Sequence, residues 1–160
     1  MTDPSTGLGF WRVPGNSTLI VHKALATYNG TTYAVWRLRE PGGASTDYFR
    51  QPDAGETSAS AVYSALVGQI AGVTDTYSGN AHHYSYGLWI GASGTPVARL
   101  KQIVVNPTGT SAPPAARIDY SYLWQPGPNA GRVRQVSVFR PDAQGSMTLV
   151  EQVEYRYIGA

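Results

Sequence analysis

The chain carries three histidines: the adjacent pair His82-His83, and His22. Neighbouring residues on a strand point to opposite faces, so the paired rings diverge rather than share a ligand. No His, Asp or Glu stands beside them at the spacing a metal site needs, so no metal is expected. There is no cysteine, which removes thiolate nucleophiles, thiolate metal sites and disulfide frameworks together. The nearest approach to a nucleophile elbow, Gly91-Ala92-Ser93-Gly94, lacks the required spacing and leads into a strand rather than a helix, so it reads as a turn. The acids are scattered, mostly in loops (Asp47, Asp53, Glu56, Asp75, Asp142), and suggest no pair for glycoside chemistry. No phosphate loop or dinucleotide fingerprint occurs, and no cofactor is expected. If the chain were an enzyme, the first suspects would be His22, His82 and Asp119.

The stronger signal is aromatic and cationic. Ten of the twelve basic residues are Arg, a side chain suited to planar, bidentate or stacked contacts. Arg99, Lys101, Arg117, Arg132, Arg134 and Arg156 all fall on expected strands, where Arg opposite Glu151, Glu154 or Asp119 is an ordinary solvated pairing. Most Tyr and Trp on strands belong to the core or to cross-strand ladders. The exceptions lie in loops or outside the alternation: Phe10, Trp11, Tyr48, Phe49, Tyr77 and Trp89. Exposed aromatics of this kind serve a subunit interface or a sugar-stacking platform. The interface expected from the sequence is Phe10, Trp11, Tyr48, Phe49, Arg99 and Lys101.

These residues need elements to position them. Residues 1–17, with Gly7, Gly9, Pro14 and Gly15 around Phe10-Trp11, read as an irregular N-terminal arm before a single β-rich domain over 18–160. Asn29-Gly30 lies between two β-rich runs and favours a type I′ hairpin turn. That turn pairs Tyr28 with Thr31, Leu25 with Ala34, Lys23 with Trp36 and Val21 with Leu38. Val21, Leu25, Ala34, Trp36 and Leu38 then share the expected core face, with Lys23 laid along Trp36. Pro41-Gly42-Gly43 ends the hairpin, and 41–56 reads as a polar loop interrupted by Tyr48-Phe49-Arg50. Val62, Leu66 and Ile70 recur at helical spacing after a cap at Thr57 or Ser58, and Gly72 suits the helix end. From Tyr84 to Ile158 the chain reads as five strands. Ile118, Tyr120, Tyr122 and Trp124 alternate against Arg117, Asp119 and Ser121, and Met147, Leu149, Val153, Tyr155 and Tyr157 are expected to share a face.

The expected fold is therefore α+β but mostly β: an antiparallel sheet or β-sandwich of about seven strands with one packed α-helix, in the order ββ-α-βββββ. Charged residues make up 14% of the chain and the net charge is +2, too small to argue for nucleic acid. The start of the chain lacks a signal-like pattern and no apolar run approaches membrane-spanning length, so no membrane partner is expected. Low charge, a thin catalytic inventory and long aromatic-bearing loops point to a non-catalytic assembly subunit that self-associates through loops and sheet edges, with a virion component such as a phage tail, capsid or decoration protein as the expected kind. The alternatives are a carbohydrate-binding module using exposed aromatics and a small half-barrel enzyme with a helix behind a curved sheet.

Overall fold

The structure is a computed structural model that describes residues 10–13, 16–28, 30–56, 64–90, 94–107, 113–124 and 129–158. Among these residues it is nearly all β, with ten strands: β1 (Phe10–Val13), β2 (Asn16–Tyr28), β3 (Thr31–Arg39), β4 (Ser45–Phe49), β5 (Ile70–Asp75), β6 (Asn80–Ile90), β7 (Pro96–Pro107), β8 (Ala116–Tyr122), β9 (Val133–Pro141) and β10 (Met147–Glu154). Strand order follows chain order from β1 to β10, the meander that short turns between antiparallel strands produce. The chain divides into two compact units, residues 1–83 and 84–160, with β6 crossing the boundary. No helix among the described residues is long and apolar enough to cross a membrane.

The expected α-helix is a correction. Its first half, 57–63, lies outside the described residues. Its second half is a single 3₁₀ turn at Ser64–Leu66, followed by strand β5. Gly68, at φ +84°, reverses the chain after that turn, and its N–H donates to the Phe49 carbonyl. From there Ile70, Val73 and Thr74, all β-branched and stiff at χ1, favour the extended backbone that pairs β5 with β4 and β6. The α+β class with about seven strands gives way to an all-antiparallel arrangement of ten.

In the first unit the β2–β3 hairpin has the register that Asn29-Gly30 dictates, from Tyr28↔Thr31 to Ile20↔Arg39. Lys23 sits 5.6 Å from the centre of the Trp36 ring, as expected. The core face is a second correction. The better covered side is the one opposite to Val21 and Leu25, carrying His22 and Ala26 on β2, Val35 on β3, and Asp47 and Phe49 on β4. Leu25 is 42% exposed. A polar core face is possible because its buried charges are paired and hydrogen-bonded, as described below. Phe10 and Trp11, expected in an irregular arm, lie on β1, which pairs with β2 from Phe10↔His22 to Val13↔Asn16.

In the second unit β8 pairs with β9 so that Ile118 and Tyr120 lie opposite Val138 and Val136, while Arg117 and Asp119 lie opposite Phe139 and Ser137. The alternation expected for β8 is present from Arg117 to Ser121; the register with β9 shifts between Ser121 and Tyr122, and Trp124 lies beyond the strand. On β10 a bulge between Leu149 and Glu151 flips the parity: Leu149 pairs with Phe139 and Val153 with Val136, which are on opposite faces. Met147 and Leu149 therefore do not share a face with Val153, a third correction.

Candidate functional site

Three constellations bring functional side chains together. The first lies on the inner face of the first unit. Arg37 donates from Nε to Oδ1 and from Nη2 to Oδ2 of Asp47, both at 2.7 Å, and the Tyr28 hydroxyl donates to Oδ2 as well. Asp47 is buried. The bidentate fork follows from the β3–β4 register, which sets Arg37 directly opposite Asp47. Burial first, and then the Asp47 charge, raise the Tyr28 pKa far above its ordinary value. The Tyr28 ring lies over Gly72 and meets His83 edge-on, with centroids 5.0 Å apart. Burial, and then neighbouring His82, lower the His83 pKa, so this imidazole is neutral at pH 7. Both carboxylate oxygens are occupied and the phenol is held protonated. Chemically the cluster is a fastening that ties the end of β2 to β4 and β5.

A second network fixes the segment after β4. Arg50 is 3% exposed, donates from Nε to the Val35 carbonyl at 3.1 Å, and forks onto Glu56 at 2.9 and 2.5 Å. Asp53 accepts from Lys23 at 2.6 Å. Hydrogen bonding from Arg50 pulls the Glu56 pKa down to about 2. The residues read as a polar loop are thus a strand, β4, and a tied-down turn beside Trp36, which Arg50 also approaches at 5.9 Å.

The third constellation is an open groove of about 190 Å³ in the second unit, where Arg99 and Lys101 of β7 meet Tyr120 and Tyr122 of β8 and Trp124 just beyond it. Arg99 and Lys101 are two residues apart on one strand, so they share a face. The Gln102↔Asp119 pair, continued by one step, sets that face beside Tyr120. The Arg99 guanidinium lies 5.8 Å from the centre of the Trp89 ring. Gly131, at φ +75°, leaves room for it: a Cβ there would sit 3.0 Å from Nη2. The Tyr122 hydroxyl donates to the Leu100 carbonyl at 2.6 Å, which locks that ring, and Trp124 packs edge-on against it at 6.1 Å.

Of the residues expected at an interface, Arg99 and Lys101 meet in this groove. Tyr48 and Phe49 lie on β4, and Phe49 is 5% exposed, its ring edge-on to Tyr33 at 5.2 Å. The side chains of Phe10 and Trp11 lie outside the described residues. The suspects for an enzyme lie on separate strands. His22 is buried on β2, His82 faces away from His83 on β6, and the Asp119 carboxylate on β8 already accepts from Gln102 and pairs with Arg117. Among the described residues no three His, Asp or Glu come close enough to hold a metal ion. Sequence reasoning missed the Arg37–Asp47–Tyr28 cluster, for which the turn at Pro41-Gly42-Gly43 was the available signal. Compared with known proteins, the chain matches no family model, no curated protein and no solved structure.

Proposed function

We propose that this chain is a non-catalytic assembly subunit that associates with a second copy of itself through the outer edge of β10. The observation that carries this reading is the uneven burial of the two units. Among the described residues, Val104 is the one buried apolar side chain of the second unit, whereas Leu149, Val150, Val153 and Tyr155 on or next to β10 are 44–54% exposed. A sheet of this kind needs a cover, and an edge strand carrying apolar side chains is a template for pairing. β10 is the last strand in the order, with β9 on one side.

A second copy suits this edge because β10 is complementary to itself. A two-fold axis through Tyr155, perpendicular to the sheet, sets Glu154 of each copy opposite Arg156 of the other on the same face. The Arg156 side chain is 90% exposed and its contact with Glu154 is long, at 3.8 Å, so it is available for such a pairing. Antiparallel pairing about a two-fold axis is an isologous contact, the commonest kind in homo-oligomers. A virion tail or capsid is the setting we propose for such a subunit, by analogy with small β-rich assembly proteins.

The test is sedimentation velocity over a concentration series. Glu154→Arg alone and Arg156→Glu alone place like charges across the axis and shift the protein toward monomer. The double variant restores opposite charges and with them the association. A wild-type protein that stays monomeric at its highest soluble concentration would overturn the reading. So would single variants that associate as the parent does.

A further inference from the structure

The groove in the second unit is independent of the β10 edge, and its chemistry defines a ligand. Its lining holds two cations and three aromatic rings and no carboxylate. Neither Arg99 nor Lys101 has an ion-pair partner among the described residues, although acids elsewhere are paired with Arg37, Arg50 and Arg117. The Arg99 Nε is buried without a hydrogen-bond partner among the described residues. A buried donor left in this way costs free energy until an acceptor reaches it. Cations left uncompensated beside low-dielectric walls concentrate anions.

The aromatic side of the groove is equally defined. Trp124 is 54% exposed and is braced from one side by Tyr122, whose hydroxyl is already committed to Leu100. The Tyr122 ring therefore offers its π-face and edge rather than its hydroxyl. A neutral sugar needs acceptors for its many hydroxyl protons, and carboxylates usually supply them; none lines this groove. A ligand that combines a negative, acceptor-only group with a flat ring matches both halves. We infer that the groove binds a nucleotide unit, with the phosphate on Arg99 and Lys101 and the base stacked on Trp124. The groove of about 190 Å³ is open, so part of such a unit stays in solvent. With no side chain placed to read base edges through paired donors and acceptors, binding is tolerant of base identity, the pattern of stacking platforms for single strands.

The unit can come from a free mononucleotide or from single-stranded nucleic acid, and titration with each separates the two. Tryptophan fluorescence is followed at low salt while thymidine monophosphate or a short oligothymidylate is added to the full chain. Both quench if a free nucleotide suffices, and the oligomer alone does so if neighbouring phosphates are needed. Trp124→Ala weakens binding about tenfold or more, the effect of removing one stacked ring. Lys101→Gln weakens it and lowers the slope of log affinity against log salt by about one. Both side chains are exposed, and circular dichroism confirms that the variants fold. Binding that is unchanged in both variants, or absent for both nucleotide probes, overturns the proposal. A preference for an oligouronate over either probe does so as well, assigning the groove to acidic glycans.

Discussion

Glu56 and Arg50 show how a single residue pair governs a segment that looks unstructured in the sequence. The buried Arg50 guanidinium is satisfied by the Val35 and Gln51 carbonyls and by the fork onto Glu56. Because the folded protein holds the Glu56 pKa at about 2, against an ordinary 4.5, the unfolded chain binds the proton more tightly. The contribution of this pair is therefore complete above pH 4.5 and is lost as pH falls through about 2. Glu56→Gln is expected to lower stability at neutral pH by on the order of 1 kcal/mol, a modest figure because solvent reaches the carboxylate. The variant should also show a flatter loss of stability on acidification. Urea denaturation from neutral pH to pH 2 checks both, and curves for variant and parent that stay parallel would contradict the assignment. In the sequence, Lys23 beside Trp36 was legible because a cross-strand pair follows from the turn residues. Arg37 against Asp47 was not, because it depends on the 41–43 turn starting a new strand rather than a loop.

At the scale of elements, β5 marks where local pattern and tertiary context part. Val62, Leu66 and Ile70 do fall at helical spacing, but short apolar runs satisfy helix and strand templates alike. What decides is Gly72. A Cβ at this position would lie 2.6–2.9 Å from the Cε1, Cζ and hydroxyl of Tyr28, so the absence of a side chain lets the ring reach Asp47. Gly72 was therefore informative in the sequence, but as a close approach of ring to strand and not as a helix end. Gly72→Ala is expected to destabilise by roughly 1–3 kcal/mol, the usual cost of overpacking. In a Tyr28→Ala background the same change should be neutral or stabilising, since alanine loses less backbone freedom on folding than glycine. A double-mutant cycle in urea measures the coupling, and additive effects would show that the ring is not held over Gly72. On β10 the expected face failed for a different reason. Alternation along a strand is exact until a bulge shifts it, and the bulge is set by pairing with β9.

For the whole molecule, the hairpin register and the strands after Tyr84 were visible in turn residues and alternation, whereas the all-β class and the strand count depended on pairings between distant segments. Among the described residues, most of the buried apolar side chains belong to the first unit, while the second keeps long apolar side chains at its surface. A second unit with so little buried apolar surface gains stability from any association that covers it. Self-association linked to folding makes the thermal midpoint depend on protein concentration. The expected outcome is a melting temperature that rises with concentration in the parent, is insensitive to concentration in Glu154→Arg, and rises again when Arg156→Glu is added. Calorimetry over a wide concentration range reads this directly. A midpoint independent of concentration in the parent would mean that covering β10 adds nothing to the stability of the fold. In that case the exposed edge is tolerated by the monomer, through the charges of Glu151, Glu154 and Arg156 and the bulge that twists it, and the case for assembly through β10 fails with it.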